Sequence, residues 1–199
     1  NRPVILVPGL GASWDYGAIL SGTDGNNWNI PSFVNVYDNL ISSLEADGYE
    51  KNKDLFIYAY DWRKPLEEQK IDLNNYINNL ISSGKISNNG KINLIGHSLG
   101  GLVARAYAQG ANKVKVNKLI ISGTPNFGAV NAYGAWEGAE IWGWPWYQRA
   151  GVEMLLHFNK LPGETKLDTL RRMIPSIKDL LPISNYLVDE NGIDKNWNS

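Results

Sequence analysis

The sequence contains no cysteine, and several other features that would mark particular classes of protein are scarce. Without cysteine there is no disulfide framework and no thiolate metal site, although this absence does not decide the compartment. There are only two histidines, His97 and His157, and no acid-rich loop with calcium-ligand spacing, so we predict no metal and no cofactor. No apolar run approaches the ~20 residues that a membrane span requires.

The chain also lacks an excess of either charge. Its 19 basic and 20 acidic residues give a net charge of −1, which argues against nucleic acid as a partner and against an anionic membrane surface. The 199 residues, 43% of them hydrophobic, are typical of one well-buried domain. The chain starts at Asn1 without a signal peptide, as a trimmed product would. We favour a secreted or cell-surface location over a cytoplasmic one, and nothing indicates an oligomeric state.

Four short apolar runs predict strands at residues 3–7, 55–60, 92–95 and 118–122. Each run is nearly continuous rather than alternating, as in strands that are buried on both faces of a parallel sheet. Amphipathic helix patterns lie between them, at residues 36–44, 73–81 and 102–107. This alternation predicts an α/β fold in which a mostly parallel sheet is flanked by helices.

The pattern changes after Gly128. Residues 129–160 are rich in Gly, Ala and Trp with no clean period, whereas residues 167–181 are predicted to be helical with a break at Pro175. We expect residues 1–128 to form the core, residues 129–182 a cap or lid inserted after the fourth strand, and residues 183–199 a polar tail. We expect the last strands of the sheet to lie in a further C-terminal part.

Ser98 stands where the third predicted strand meets a helix. The run Gly96-His97-Ser98-Leu99-Gly100 joins the two with small residues on either side of the serine. A sharp strand-to-helix turn of this kind exposes a nucleophilic hydroxyl, and a Cβ at Gly96 or Gly100 would collide with the turn. We interpret Ser98 as a nucleophile; the alternative is a small residue that a tight turn requires.

A glycine-containing loop, Pro8-Gly9-Leu10-Gly11, directly follows the first predicted strand. Attack on an ester creates an oxyanion, which needs N–H donors that are already in position. In this architecture one donor is the amide after the nucleophile, here Leu99, and the other comes from the early loop, here Leu10. The alternative is a plain turn that ends the strand.

These elements carry a resemblance to a known family. GHSLGG at residues 96–101, PGLGAS at 8–13, YDWR at 60–63 and GTPNFG at 123–128 resemble the α/β-hydrolases of the lipase type. YDWR and the run PSIKDLLP at 175–182 are similar to the lecithin:cholesterol acyltransferase and phospholipase branch. The resemblance implies an α/β-hydrolase fold and carboxylic-ester hydrolysis or acyl transfer on a lipid or another ester.

The catalytic acid and base are harder to place. In this fold they follow the serine in the order acid, then histidine, and the only histidine after Ser98 is His157. We expect His97 to pack behind the elbow and His157 to be a partly buried cap residue. The alternative makes His157 the base, oriented by Asp168, Asp179 or Asp189. We expect this chain to be an N-terminal portion that is inactive alone, its base and acid lying elsewhere.

Two further groups of side chains are each compatible with two roles. Trp136, Trp142, Trp144 and Trp146 suit a lid or an acyl-chain pocket in transient contact with a lipid–water interface, or ordinary cap packing. Asp61 and Arg63 suit a structural ion pair or contact with a substrate headgroup.

The favoured function is a serine hydrolase that forms an acyl-enzyme on Ser98. The alternatives are an acyltransferase of the same fold and a non-catalytic lipid-binding domain without a complete triad.

Overall fold

The computed structural model describes residues 1–184, 187–188 and 194–195. Its centre is a parallel sheet of four strands, β1 (Val4–Val7), β2 (Leu55–Ile57), β3 (Ile92–His97) and β4 (Val116–Ser122), in the order β2-β1-β3-β4. All four runs predicted as strands are therefore strands, and the predicted α/β architecture is confirmed. The second strand is shorter than predicted.

Helices connect and cover these strands. They are α1 (Tyr16–Ser21), α2 (Asp38–Ala46), α3 (Leu66–Ser82), α4 (Leu99–Gln109), α5 (Val130–Gly138), α6 (Trp146–Asn159) and α7 (Lys166–Met173), with 3-10 turns at Ala111–Lys115 and Pro175–Leu180. A separate antiparallel pair is formed by β5 (Leu187–Val188) and β6 (Asp194–Lys195). Within the described ranges, no helix is both long enough and apolar enough to cross a bilayer.

The two faces of the sheet are covered by different helices. Val4 and Leu6 pack with Ile41 of α2 on one face. Ile5 and Leu94 belong to a larger core on the other face, together with buried residues of α3 and α4. Because successive side chains of a strand point to opposite faces, an almost entirely apolar β1 is what this double coverage requires.

The fourth strand departs from the prediction that all strands are buried on both faces. In β4, Ile120 is 52% exposed and Ile121 is 38% exposed. The strand lies at the edge of the described sheet, beside β3 only, and the helix layers cover it only in part, through Val116 and Leu119, which pack against the larger core. None of the residues of β4 is fully buried, so its apolar sequence is only partly covered.

The segment 129–160 is more regular than its sequence pattern suggested, because it contains α5 and α6. Tyr147, Gly151 and Leu155 recur every fourth residue on the buried face of α6. The break predicted at Pro175 is confirmed, since α7 ends at Met173 and a 3-10 turn starts at the proline. Proline has no N–H with which to continue a helix.

Both ends of the predicted cap segment meet at the same place. Gly128 has φ +88°, and a Cβ there would lie 2.4 Å from the carbonyl oxygen of Leu181. The Ala129 N–H donates to the Leu180 carbonyl at 2.8 Å. Leu155 and Ile177 from this segment share one apolar cluster with Ile5 of β1. The segment therefore packs into the core of the sheet domain rather than forming a core of its own.

Candidate active site

Ser98 occupies a strained turn between β3 and α4. Its backbone dihedrals are φ 53° and ψ −127°, a conformation that L residues other than glycine rarely adopt. The Ser98 N–H donates to the Ser122 carbonyl at 3.0 Å, and the Ser98 carbonyl accepts from the Gly101 N–H at 3.0 Å. The turn has the sharp strand-to-helix geometry of a nucleophile elbow.

The glycines around Ser98 are needed for close packing. A Cβ at Gly96 would lie 2.5 Å from the Gly101 Cα, and a Cβ at Gly100 would lie 2.2 Å from the Val7 carbonyl oxygen. Both distances are far below van der Waals contact, so the prediction that no Cβ fits at Gly96 or Gly100 is confirmed. The first turn of α4 thus packs directly on the ends of β1 and β3.

The glycine loop, residues 8–11, lies against Ser98. A Cβ at Gly9 would come within 2.9 Å of the Ser98 Cβ. The Gly9 carbonyl accepts from the Ala12 N–H at 3.2 Å, so the N–H on the opposite side of that planar peptide, which belongs to Leu10, points away from Ala12. Leu99 is the first residue of α4, where an N–H has no acceptor within the helix. In the described part of the chain, neither the Leu10 N–H nor the Leu99 N–H donates to a backbone carbonyl of a loop or turn.

His97 is held by Tyr37 behind the elbow, which confirms the packing interpretation. The Tyr37 hydroxyl accepts from the Gly9 N–H at 2.8 Å and lies 2.9 Å from His97 Nδ1. Because the hydroxyl already accepts from Gly9, its own proton is available to Nδ1, an arrangement that places the ring proton of a neutral His97 on Nε2. Burial lowers the pKa of His97 and raises that of Tyr37, so both are neutral near pH 7.

His157 is exposed in the last turn of α6, where its ring contacts Phe158 edge-on at 4.9 Å, so the prediction of partial burial was wrong. Asp168 caps α7 by accepting from the Thr165 N–H at 2.9 Å. Asp179 accepts from the Leu66 N–H at 2.8 Å, at the start of α3. Both carboxylates are engaged at helix ends rather than with His157, and Asp189 lies outside the described residues.

The four candidate tryptophans divide into two pairs. Trp144 is 7% exposed, and Trp136 packs beneath the Arg171 guanidinium, whose carbon is 5.2 Å from the ring centre. Trp142 and Trp146, in contrast, are 61% and 62% exposed. Ordinary packing therefore explains Trp136 and Trp144. Of the four, only Trp142 and Trp146 are exposed enough to contact an interface.

Asp61 and Arg63 form a buried ion pair. Arg63 Nε and Nη2 donate to the two carboxylate oxygens of Asp61 at 2.7 and 2.6 Å. Its other donors reach the carbonyls of Ala18 at 3.1 Å and Thr23 at 2.8 Å. Arg63 thus joins the chain after β2 to α1, and each of its three guanidinium nitrogens donates within the protein. In the part of the chain that the structure describes, no three acidic or histidine side chains cluster as a metal site would need.

The side chains that support the glycine loop were missed from the sequence. Tyr60 donates its hydroxyl to the Pro8 carbonyl at 2.9 Å, Trp14 Nε1 donates to the Gly11 carbonyl at 3.0 Å, and Gln148 Nε2 donates to the Leu10 carbonyl at 2.8 Å. Gln148 is 138 residues away from Leu10 along the chain, and Tyr37 is 28 away from Gly9. Contacts over such separations leave no local sequence signal.

A parallel sheet flanked by helices, with a strained serine between β3 and α4, defines the α/β-hydrolase fold. The model of the lecithin:cholesterol acyltransferase family matches residues 30–191. The chain belongs to that family, and the resemblance seen in its motifs is confirmed.

Two solved structures show a distant likeness. Phospholipase PlaB from Legionella pneumophila, in complex with thio-NAD, is 16% identical over 67% of this chain and 27% of its own, with a TM-score of 0.45. AqDC, which recognises and ring-cleaves the Pseudomonas quinolone signal and was solved in complex with its product, is 14% identical over 90% of this chain and 63% of its own, also with a TM-score of 0.45. The chain thus spans just over a quarter of PlaB. No curated protein sequence matches it.

Proposed function

We propose that this chain carries the nucleophile and the oxyanion donors of a lipid-acting serine hydrolase. Ser98 Oγ attacks the carbonyl carbon of an ester and gives its proton to a general base. The N–H groups of Leu10 and Leu99 bind the resulting oxyanion, and its collapse expels the alcohol, which takes up the proton. Water then attacks the acyl-enzyme, releasing the carboxylic acid and restoring Ser98.

The observation that carries this proposal is the positive φ of Ser98 against the glycine loop. A turn that needed only a small residue would be served by glycine, which adopts φ +53° without strain, whereas a serine there keeps a hydroxyl at a cost. The contact between Gly9 and Ser98 brings the loop to the hydroxyl. Each oxyanion donor is worth roughly 3–4 kcal/mol of the barrier.

The proposal takes its general base from outside these 199 residues. The chain has only two histidines. His97 is hydrogen bonded to Tyr37, and His157 lies exposed at the end of α6. We therefore expect slow acylation of Ser98 by the 199-residue chain alone. Robust turnover that disappears in His157→Ala would instead make His157 the base.

A lipid substrate is supported by the family and by the two exposed tryptophans. Trp142 and Trp146 offer large apolar rings with a polar edge, which suits contact with a lipid–water interface. The family also supports acyl transfer, in which an alcohol replaces water in the second step. Analysis of products from an ester substrate, with and without an added long-chain alcohol, distinguishes the two reactions.

The nucleophile is tested with a fluorophosphonate probe on the protein as its gene encodes it. Phosphonylation should map to Ser98 and be lost in Ser98→Ala. The matched control is Ser122→Ala, which removes an exposed hydroxyl at the end of the neighbouring strand and should label as the wild type does. Absence of labelling in the folded wild-type protein would reject the hydrolase and favour a lipid-binding domain.

A further inference from the structure

The glycine loop is held peptide by peptide, and each peptide has a different partner. The peptide between Pro8 and Gly9 is fixed at both ends by tyrosines, through the Pro8 carbonyl and the Gly9 N–H. The peptide between Gly9 and Leu10, which carries the candidate oxyanion donor, is tied at its carbonyl to the Ala12 N–H. The next peptide has its carbonyl, that of Leu10, held by the Gln148 side chain at 2.8 Å.

Gln148 differs from the other partners because it comes from α6, inside the cap segment. The helix lies directly on the loop there: Gly11 has φ +69°, and a Cβ on it would sit 2.8 Å from Gln148 Cγ and 3.2 Å from its Cα. One turn further along, a Cβ on Gly151 would lie 3.1 Å from Trp14 Cζ2. Residues three apart share a face of a helix, so this face of α6 is in register with the loop and with Trp14.

The same helix starts at a solvent-exposed aromatic side chain. Trp146 is its first residue, 62% exposed, and its ring lies 5.3 Å from that of Phe33. Only one residue separates Trp146 from Gln148. A displacement of the start of α6 would therefore reach the loop through the Gln148 amide.

We propose that Gln148 is a positioning residue through which α6 sets the orientation of the Leu10 N–H. The proposal rests on the proposed function, since it takes that N–H as an oxyanion donor. The Gly9 carbonyl and the Leu10 carbonyl are the two flanking points that fix the backbone of Leu10. When both carbonyls are hydrogen bonded, the Leu10 N–H keeps one direction. When Gln148 is withdrawn, the peptide after Leu10 can rotate, and the Leu10 N–H no longer points at the oxyanion. Oxyanion stabilisation then depends on where the start of α6 lies.

The first test is Gln148→Met, which keeps the length of the side chain and removes the donor. The matched control is Asn159→Leu, at the other end of α6, which removes a side-chain bond of 2.9 Å to the Ile19 carbonyl and leaves the loop alone. With a p-nitrophenyl ester and the gene-encoded protein, Gln148→Met should lower kcat about 10- to 100-fold, with KM changed less than about 2-fold. Asn159→Leu should keep the wild-type kcat.

Amide hydrogen exchange of residues 9–12 gives a readout that does not need catalysis. In the gene-encoded protein, Gln148→Met should speed exchange in this stretch at least about 10-fold, and Asn159→Leu should not. If Gln148→Met matches Asn159→Leu in both kcat and exchange, the positioning role is overturned. If Ser98 fails to label in the wild type, the hydrolase proposal falls, and the exchange result alone decides whether Gln148 orients the loop.

Discussion

At the scale of single residues, the elbow depends on positions where no Cβ fits. In Gly96→Ala the new methyl would lie 2.5 Å from the Gly101 Cα, a backbone atom that cannot move aside alone. We expect a loss of about 3 kcal/mol or more in the free energy of unfolding, as for other overpacked cores. Urea denaturation followed by circular dichroism measures it.

Gly110→Ala is the control for that substitution. Gly110 ends α4 with a negative φ, and the nearest atoms to a Cβ there are 3.8 Å away. Its free energy of unfolding should change by no more than about 1 kcal/mol. Equal losses in Gly96→Ala and Gly110→Ala would show that the elbow is not close-packed.

His97 predicts a pH dependence of stability. Burial lowers its pKa in the folded protein below the value of about 6.5 that it has when unfolded. The unfolded chain then binds the proton more readily, so the contribution of His97 to stability is complete above pH 6.5 and is lost as the pH falls toward the folded pKa. The urea midpoint of the wild type should therefore fall between pH 7.5 and pH 6.

The histidine variants assign that fall to one side chain. His97→Asn should remove much of the difference between the two pH values, because it removes the group that titrates. His157→Asn, at the only other histidine, should keep the wild-type difference. The assignment to His97 fails if His97→Asn retains the full difference.

At the scale of secondary-structure elements, the Asp61–Arg63 pair ties the end of β2 to α1. Both side chains are nearly inaccessible to solvent, at 6% and 5% exposure. Arg63→Met would leave the Asp61 carboxylate buried without its cation, which costs about 3–5 kcal/mol. Differential scanning calorimetry and urea denaturation would both report this as a large drop in stability.

A surface pair provides the comparison. Lys166 and Glu153 are 2.8 Å apart, with about half of each side chain exposed. Lys166→Met should cost no more than about 1 kcal/mol, because water solvates the remaining carboxylate. A loss in Arg63→Met as small as that in Lys166→Met would mean that the buried pair does not join β2 to α1.

The sequence predicted the elements whose pattern is local and missed those whose pattern is interrupted. The four strands follow from apolar runs, and α2, α3 and α4 follow from apolar stripes that are each closed by a glycine. In α6 one buried position is Gly151, which has no side chain to mark an apolar face. The helix also begins with Trp146, a large apolar residue that is exposed, so its apolar residues do not follow the buried face. In α5 the buried positions are Ala132 and Ala135, too small to mark a face.

The residues of the candidate site also fall into those that a local motif predicts and those that it does not. Ser98, Leu10 and Leu99 could be proposed from short motifs, because a nucleophile elbow and an early glycine loop are each contained in a few residues. Tyr37 and Gln148, which hold that loop, meet it only after the chain has folded. Their partners are backbone atoms, which carry no residue-type signal for a reader of the sequence.

At the scale of the whole molecule, the open side of β4 is the main departure from a closed domain. In the described sheet β4 pairs with β3 alone, so its outer N–H and C=O groups have no neighbouring strand. Ile120 is half exposed on the face that carries Ile95 and Leu6, beyond the reach of α2. Val36 and Leu40 border this face and are themselves 50% and 36% exposed. An exposed apolar edge strand is a template for pairing with another chain.

We therefore expect the purified 199-residue chain to self-associate through β4. Ile120→Lys places a charge on this edge and should reduce association, measured by sedimentation velocity between about 10 and 100 μM, while leaving the urea midpoint unchanged. Val114→Lys is the control, because Val114 is 66% exposed in the turn before β4 and is not part of the strand. A wild-type chain that stays monomeric over this range, or an equal effect of Ile120→Lys and Val114→Lys, would show that the edge of β4 does not drive association.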